Sequence, residues 1–220
     1  MKKIIVVYAI FRLLIIAQTL PADWSQSYCT YDVPEVFEPG EYGIGFAIDN
    51  YTIYSGVADT VAYDTRRFDI YASYGLFKNV EVGVKYSYPT AGVLEAQYQF
   101  LHGKYASAIK LGFGYMKGTR EGYITDYVYD VYPTLLLGLC AKKCIKLYWA
   151  PKIIYSLHMR DRQEDSDRQP VSVFQYGHGV GLKIGDRFAF MPEANWLFGV
   201  NEGVKYTVNQ FGLGVMLEIQ

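Results

Sequence analysis

The sequence predicts an all-β fold: a single closed antiparallel transmembrane β-barrel of about ten strands, preceded by an N-terminal signal segment. Three observations predict it. Apolar and polar residues alternate with period two in segment after segment of residues 41–220. Turn residues separate these segments, and the connections alternate between tight and long. The chain is also rich in Tyr, Phe and Gly, with 22, 12 and 21 residues, which suits many short strands better than helices.

The net charge of the chain bears on whether its partner is a nucleic acid. The chain has 220 residues, enough for one or two domains, and a net charge of −1. Phosphate binding is driven by clustered Lys and Arg, and the sequence has no such cluster. We therefore expect no nucleic-acid partner. No cofactor and no metal site are predicted.

Residues 1–22 are predicted to be a signal peptide. Lys2 and Lys3 precede an apolar run over residues 4–17, interrupted by Arg12, and the small residue Ala22 follows. The alternative is a membrane anchor, but the run is shorter than the roughly 20 residues that span a bilayer as a helix. No later segment has a long apolar run without charges. A membrane-spanning mature chain would therefore cross as strands in a closed barrel.

Residues 23–40 have no periodicity and contain two prolines, Pro34 and Pro39, so we interpret them as a linker before the barrel of residues 41–220. Ten strands follow, each close to the roughly 9–11 residues that a tilted strand needs to cross the hydrocarbon. They are predicted at 41–48, 67–77, 80–88, 92–101, 105–116, 127–139, 145–157, 171–184, 187–198 and 206–219.

The connections predict two different ends. Those after the even-numbered strands are tight, as at Lys78-Asn79 and Gly185-Asp186. Those after most odd-numbered strands are longer, including 49–66, 117–126 and 158–170, although 89–91 is short. The barrel should therefore have one end of tight turns and one end of loops.

One stripe of the strands carries the glycines and the charges. Charges of both signs share this stripe, and a Lys on a lipid-facing stripe would cost about 2–4 kcal/mol at the midplane. Because enclosed charges must be balanced, we predict a lumen charge network. Its members are Lys85, Glu95, Lys110, Asp130, Lys152 and Glu193. The opposite stripe is apolar, as in Val80, Val82 and Val84 or Phe211 and Leu213, and is predicted to face lipid.

The chain resembles small bacterial outer-membrane β-barrel proteins over residues 41–220, through its repeated glycine-aromatic strands and turns such as Leu76-Phe77-Lys78-Asn79-Val80-Glu81. The resemblance implies a location in the bacterial outer membrane, with outer-membrane lipid and the barrel-assembly machinery as partners. It also places the tight turns and the linker of residues 23–40 in the periplasm. Such proteins usually finish on an aromatic residue, whereas here Ile219 and the polar Gln220 end the sequence.

The expected function is a structural or surface-interaction role with a largely plugged lumen. Eight strands are just filled by side chains and open porins use sixteen or more, so ten leave little interior room. One alternative is a narrow porin-like pore for small solutes. Another is an outer-membrane hydrolase with a rim active site near His158, since ten-stranded outer-membrane proteases place Asp and His groups above the rim. We interpret the loop that His158 opens as a solvated charged loop and favour a non-enzymatic role.

The cysteines and prolines give further expectations. A hairpin disulfide between Cys140 and Cys144 is sterically allowed, with two free thiols as the alternative. Cys29 is a candidate for lipidation, but the residues before it match that motif poorly. If strands six and seven pair about their tight turn, Cys140 opposes Cys144 and Pro133 opposes Pro151. We then expect a bulge or an irregular ladder, because proline has no N–H to donate. His178 falls by parity on the lipid face.

Overall fold

Ten antiparallel strands, β1 to β10 in chain order, form one sheet that closes on itself. The computed structural model describes residues 28–55, 60–88, 91–120, 124–142, 144–161, 170–201 and 204–219, so the predicted signal peptide lies outside the described residues. The strands are Tyr42–Ser55, Thr60–Phe77, Val80–Tyr88, Ala91–Leu101, Tyr105–Arg120, Ile124–Lys142, Ile145–Asp161, Val171–Gly185, Phe188–Asn201 and Val204–Ile219. The prediction of ten strands in a closed antiparallel barrel is confirmed.

The first and last strands close the barrel. β1 pairs with β10 from Tyr42 opposite Ile219 to Ser55 opposite Tyr206, and each remaining strand pairs with its neighbours in sequence. Every strand therefore has a partner on both sides. This arrangement satisfies the backbone N–H and C=O groups where no water is present to do so.

The looped end differs from the prediction in how far the strands extend. β2 begins at Thr60 instead of residue 67, and β6 has 19 residues. Much of the predicted loops 49–66 and 117–126 is thus hydrogen-bonded hairpin. The outer surface here carries polar residues, among them Thr52 and Asp64. Thr52 Oγ1 donates a hydrogen bond to Asp64 Oδ1 at 2.9 Å. These strand ends lie beyond the apolar surface described below.

The other end has the predicted tight turns. Asn79, Gly103 and Gly185 lie in the turns after β2, β4 and β8, with φ angles of 65°, 99° and 125°. Left-handed backbone of this kind favours Gly and Asn. The tight turns are therefore as predicted, whereas the connections at the other end lie outside the described residues, and the contrast between the two ends stays a prediction.

The outer face of the barrel carries an apolar belt. Its members include Ile44, Phe46, Ile48, Ile109, Phe113, Trp149, Ile153, Phe174, Val180, Phe190, Phe211 and Leu213, all exposed. In β8 the belt runs from Phe174 to Ile184, about 33 Å along the strand at roughly 3.3 Å per residue. With the usual tilt of about 40°, its height is about 25 Å, the height of the apolar band of outer-membrane barrels. The prediction that this stripe faces outward is confirmed, with Leu213 54% exposed.

Among the described residues, no helix is both long and apolar enough to span a membrane. His178 lies on the outer face as predicted, half-buried between the rings of Trp149 and Trp196 at centroid distances of 6.3 and 5.7 Å.

The predicted register of β6 and β7 is wrong by two residues. Cys140 pairs with Lys146 instead of Cys144, because β6 continues to Lys142, which pairs with Ile145, and one bulge lies between Cys140 and Lys142. Pro133 and Pro151 consequently do not oppose each other. The ladder passes from Val131–Tyr155 to Thr134–Lys152, so it is interrupted at Pro133, as expected for a residue without an N–H.

Candidate functional site in the barrel lumen

The inner face of the sheet carries the predicted charges. Lys85, Lys110, Asp130, Lys152 and Glu193 are buried, and the Glu95 side chain is nearly so. Lys110 Nζ lies 2.6 Å from Glu95 Oε2, and Lys152 Nζ lies 3.7 Å from Glu193 Oε1. The structure thus brings four of the six residues into ion pairs along the lumen wall. Asp130 lies on β6 opposite Ser156.

Residues 28–37, which we call the inner segment, lie inside the barrel. Residues 28–34 are buried, and Cys29 has no exposed surface. These residues were predicted to belong to a periplasmic linker before the barrel, whereas residues 28–37 lie in its lumen. Tyr28, Cys29, Tyr31 and Val33 are too apolar for a solvated linker, and the lumen removes them from water.

The inner segment runs from the looped half of the lumen to the turn end. Tyr28 packs against Tyr51 with ring centroids 6.1 Å apart, and its N–H donates to Gln210 Oε1 at 2.9 Å. At the other end the Phe37 N–H donates to Glu81 Oε2 at 3.1 Å, next to the turn after β2. From the level of Tyr51 to that of Gly43 is about 26 Å along β1. The ten residues of the segment run along most of this length, with one left-handed residue, Tyr31, between the two ends.

Glu193 is the main acceptor for the inner segment. Its carboxylate accepts from the Thr30 N–H at 2.9 Å, the Tyr31 N–H at 2.8 Å and the Thr30 hydroxyl at 2.9 Å. The Tyr148 hydroxyl and the Asn195 amide also donate to it, at 2.7 and 2.9 Å. A carboxylate offers about four lone-pair positions, so these five donors together with Lys152 fill all of them. Donors from the inner segment and from the barrel wall together stabilise the buried negative charge of Glu193.

Lumen lysines and glutamines bind other main-chain atoms of the segment. Lys152 Nζ donates to the Tyr28 carbonyl and Lys85 Nζ to the Cys29 carbonyl, both at 2.6 Å. Gln97 Nε2 donates to the Val33 carbonyl at 2.9 Å. Gln99 Oε1 accepts from the Val36 N–H at 3.2 Å. The buried cations are thus held by peptide carbonyls as well as by carboxylates.

Two acidic residues of the segment meet lumen cations. Asp32 Oδ2 lies 3.0 Å from Lys110 Nζ, so Lys110 bridges Asp32 and Glu95. Glu35 Oε1 lies 3.3 Å from Lys146 Nζ near the turn after β6. The charge balance predicted for the strands alone therefore includes the inner segment.

Tyr31 has an unusual backbone conformation within the inner segment. It has a left-handed backbone with a φ angle of 45°, which costs a non-glycine residue about 1–2 kcal/mol. Its ring stacks on Tyr71 at 5.7 Å with an interplanar angle of 12°, and its hydroxyl lies 3.5 Å from Asp49 Oδ2. These contacts hold the unfavourable backbone in place.

Several lumen glycines make room for the inner segment. A Cβ at Gly138 would lie 2.7 Å from Pro34 Cγ, and one at Gly43 would lie 2.7 Å from Phe37 Cζ. A Cβ at Gly212 would overlap the Tyr31 hydroxyl. The lumen wall therefore follows the shape of the segment.

A second set of glycines makes room for tyrosines of the barrel itself. In each case the Tyr ring covers the Gly directly opposite it on the neighbouring strand, where a Cβ would overlap the ring. The pairs are Gly45–Tyr71, Gly112–Tyr132, Gly181–Tyr148 and Gly199–Tyr206. The lumen position of these tyrosines was not predicted. Each lies on the same side of its strand as the glycines, and this shared alternation would have indicated it.

The remaining predicted sites lie apart from this lumen cluster. Cys140 and Cys144 are free thiols in the structure, and the disulfide stays a prediction. The complete burial of Cys29, with the Asn195 amide nitrogen 3.1 Å from its sulfur, leaves no space there for a lipid.

The rim near His158 is described only in part. His158 lies within β7, paired with Val128 and Val171, and the acidic loop that follows it falls outside the described residues over 162–169. Within the described parts of the chain, no group of His, Cys, Asp and Glu is suited to a metal ion.

Solved structures with similar barrels include three bacterial proteins. Neisserial surface protein A aligns with a TM-score of 0.47 at 9% identity, over 81% of this chain and 98% of that one. Ail, the attachment invasion locus protein of Yersinia pestis, aligns with a TM-score of 0.37 at 13% identity, over 81% and 99%. OprG from Pseudomonas aeruginosa aligns with a TM-score of 0.32 at 13% identity, over 86% and 100%. No protein-family model and no curated protein matches the chain.

Proposed function

We propose that this chain, a ten-stranded outer-membrane β-barrel protein, has a lumen closed by its own inner segment and serves a structural or surface-interaction role. One observation carries the proposal: residues 28–34 are buried inside the barrel, in the space through which a solute would pass. On this proposal its partners are outer-membrane lipid at the apolar belt and the barrel-assembly machinery during insertion.

The fit between segment and wall supports a permanent closure. Glycines in the wall leave space for the segment, and Glu193, Lys85 and Lys152 bind its main chain. If the segment left, these charges would lose their partners in a narrow space, at a cost of several kcal/mol unless water entered. The closed state is therefore the low-energy one.

The looped end supports the surface-interaction role. β5, β6 and β7 have 16, 19 and 17 residues, compared with the 9–11 or so that cross the hydrocarbon. Their hairpins extend past the apolar belt into water. A rigid, hydrogen-bonded surface of this kind can present side chains to a partner outside the cell.

Planar-bilayer conductance of the full-length protein tests the closure. We expect no steady single-channel steps from the unaltered chain, and intermittent openings from Tyr31→Ala, which removes the ring stacked on Tyr71. The matched control is Tyr105→Ala, which removes an exposed ring at the turn end. Steady steps from the unaltered protein would favour the narrow pore instead.

A further inference from the structure

The hydrogen bonds between the inner segment and the barrel are mainly made by the peptide backbone of the segment. Five N–H groups, those of residues 28, 30, 31, 36 and 37, donate to lumen side chains. Four carbonyls, those of residues 28, 29, 33 and 34, accept from lumen side chains. Peptide groups are common to all sequences, so contacts of this type recognise a polypeptide backbone more than a particular sequence.

The lumen supplies both donors and acceptors to the main chain of the segment, and the consecutive N–H groups of Thr30 and Tyr31 converge on Glu193. Donors to carbonyls come from Lys85, Lys152 and Gln97, and acceptors of N–H groups come from Glu193 and Gln210. These side chains are nearly or fully buried, and they lie on strands from both sides of the barrel. Charged groups bonded to peptide N–H and C=O form the stronger class of hydrogen bond.

We propose that the lumen is a binding site for a polypeptide segment, recognised largely through its main chain, and that the inner segment is its covalently attached occupant. The inference rests on the proposed function, in which the segment closes the lumen, and adds the chemical class of ligand that the site takes. On this proposal, the inner segment stays in the lumen after its covalent link to β1 is cut.

The link can be cut in the folded full-length protein. Residues 38–40 are exposed at the turn end, so a specific protease site inserted between Pro39 and Gly40 is accessible. After folding and cleavage, the barrel is held by a C-terminal tag and washed in detergent. Mass spectrometry of the retained and released fractions then gives the rate at which the segment leaves.

We expect the unaltered segment to stay bound through the washes. Thr30→Ala removes only the hydroxyl contact to Glu193 and should change the release rate less than about threefold. Thr30→Pro also removes the N–H and should accelerate release at least about tenfold. Glu193→Gln, which alters the wall and leaves the segment unchanged, should also accelerate release and serves if the proline variant does not fold.

Two results would overturn the inference. One is immediate loss of the unaltered segment after cleavage. The other is equal release from the unaltered protein, the proline variant and Glu193→Gln, which would indicate mechanical trapping without recognition. Conductance of the uncleaved protein is recorded in parallel, so failure of the proposed closure is distinguishable from failure of main-chain recognition.

Discussion

At the scale of single residues, Glu193 has the largest part in holding the lumen together. It binds the inner segment, two side chains of the wall and Lys152. Its charge was predictable from the polar stripe. Its partners were not, because five of its contacts come from residues more than 40 positions away in sequence.

Glu193→Ala should destabilise the barrel by about 3–5 kcal/mol, because it leaves Lys152 buried without its carboxylate and removes an acceptor from several donors. Chemical unfolding monitored by tryptophan fluorescence measures the change. The control is Glu218→Ala, which breaks a pair with Lys183 at the more accessible turn end and should cost about 1 kcal/mol or less. Equal losses from the two variants would contradict this account of Glu193.

Gly212→Ala should cost about 1–3 kcal/mol, because the added methyl group overlaps the Tyr31 hydroxyl. In a Tyr31→Ala background the same change should cost much less, since the ring is gone. Unfolding free energies of the two single variants and the double variant form a cycle that isolates this contact. A cycle with no coupling between the two positions would mean that Tyr31 does not lie against Gly212.

At the scale of elements, the strands were predictable and the inner segment was not. Period-two alternation is a property of each strand alone, so β3 was predicted with the bounds that it has in the structure. The inner segment has no period, because its partners surround it and no single face is buried. Its apolar residues, such as Tyr28, Tyr31 and Val33, were the only local signal.

Thiol labelling tests the position of the inner segment. A variant that retains only Cys29 should resist maleimide in the folded state, because this thiol is fully buried in the lumen. A matched variant that retains only Cys144, which is exposed in a turn, should be labelled rapidly. Both should react after denaturation. Equal labelling rates in the folded proteins would place Cys29 outside the lumen.

The strand ends and one register were also missed. β-Hairpins continue past the belt through backbone pairing, which leaves little trace in hydropathy, so β2 and β6 are longer than their apolar stripes. The β6–β7 register differs because β6 continues to Lys142 before the turn and has a bulge between Cys140 and Lys142. A bulge adds one residue to one strand, and tight-turn spacing alone does not reveal it.

At the scale of the whole molecule, the sequence settles which side of the sheet faces outward. The predicted network charges all lie on the glycine stripe, and the structure has that stripe inside. The exterior is therefore compatible with hydrocarbon over its belt and polar at Thr52 and Asp64 nearer the looped end.

Val180→Lys should reduce the stability of the barrel in lipid vesicles by about 2–4 kcal/mol, since Val180 lies exposed near the middle of the belt on β8. Asn50→Lys, on the polar outer surface nearer the looped end, should cost about 1 kcal/mol or less. Equilibrium unfolding from vesicles measures both. A tolerated lysine at Val180 would mean that this part of the exterior does not meet hydrocarbon.

The position of the inner segment constrains the order of assembly. The segment immediately precedes β1, and the seam between β1 and β10 joins the first strand to the last. Side chains as wide as Tyr31 fit only in recesses left by facing glycines, so passage of the chain beginning along a finished cylinder would be slow. We therefore expect the sheet to curl around residues 28–37 during assembly, with the pairing of β1 and β10 as the final step, so that the ten residues filling the finished barrel also guide its closure.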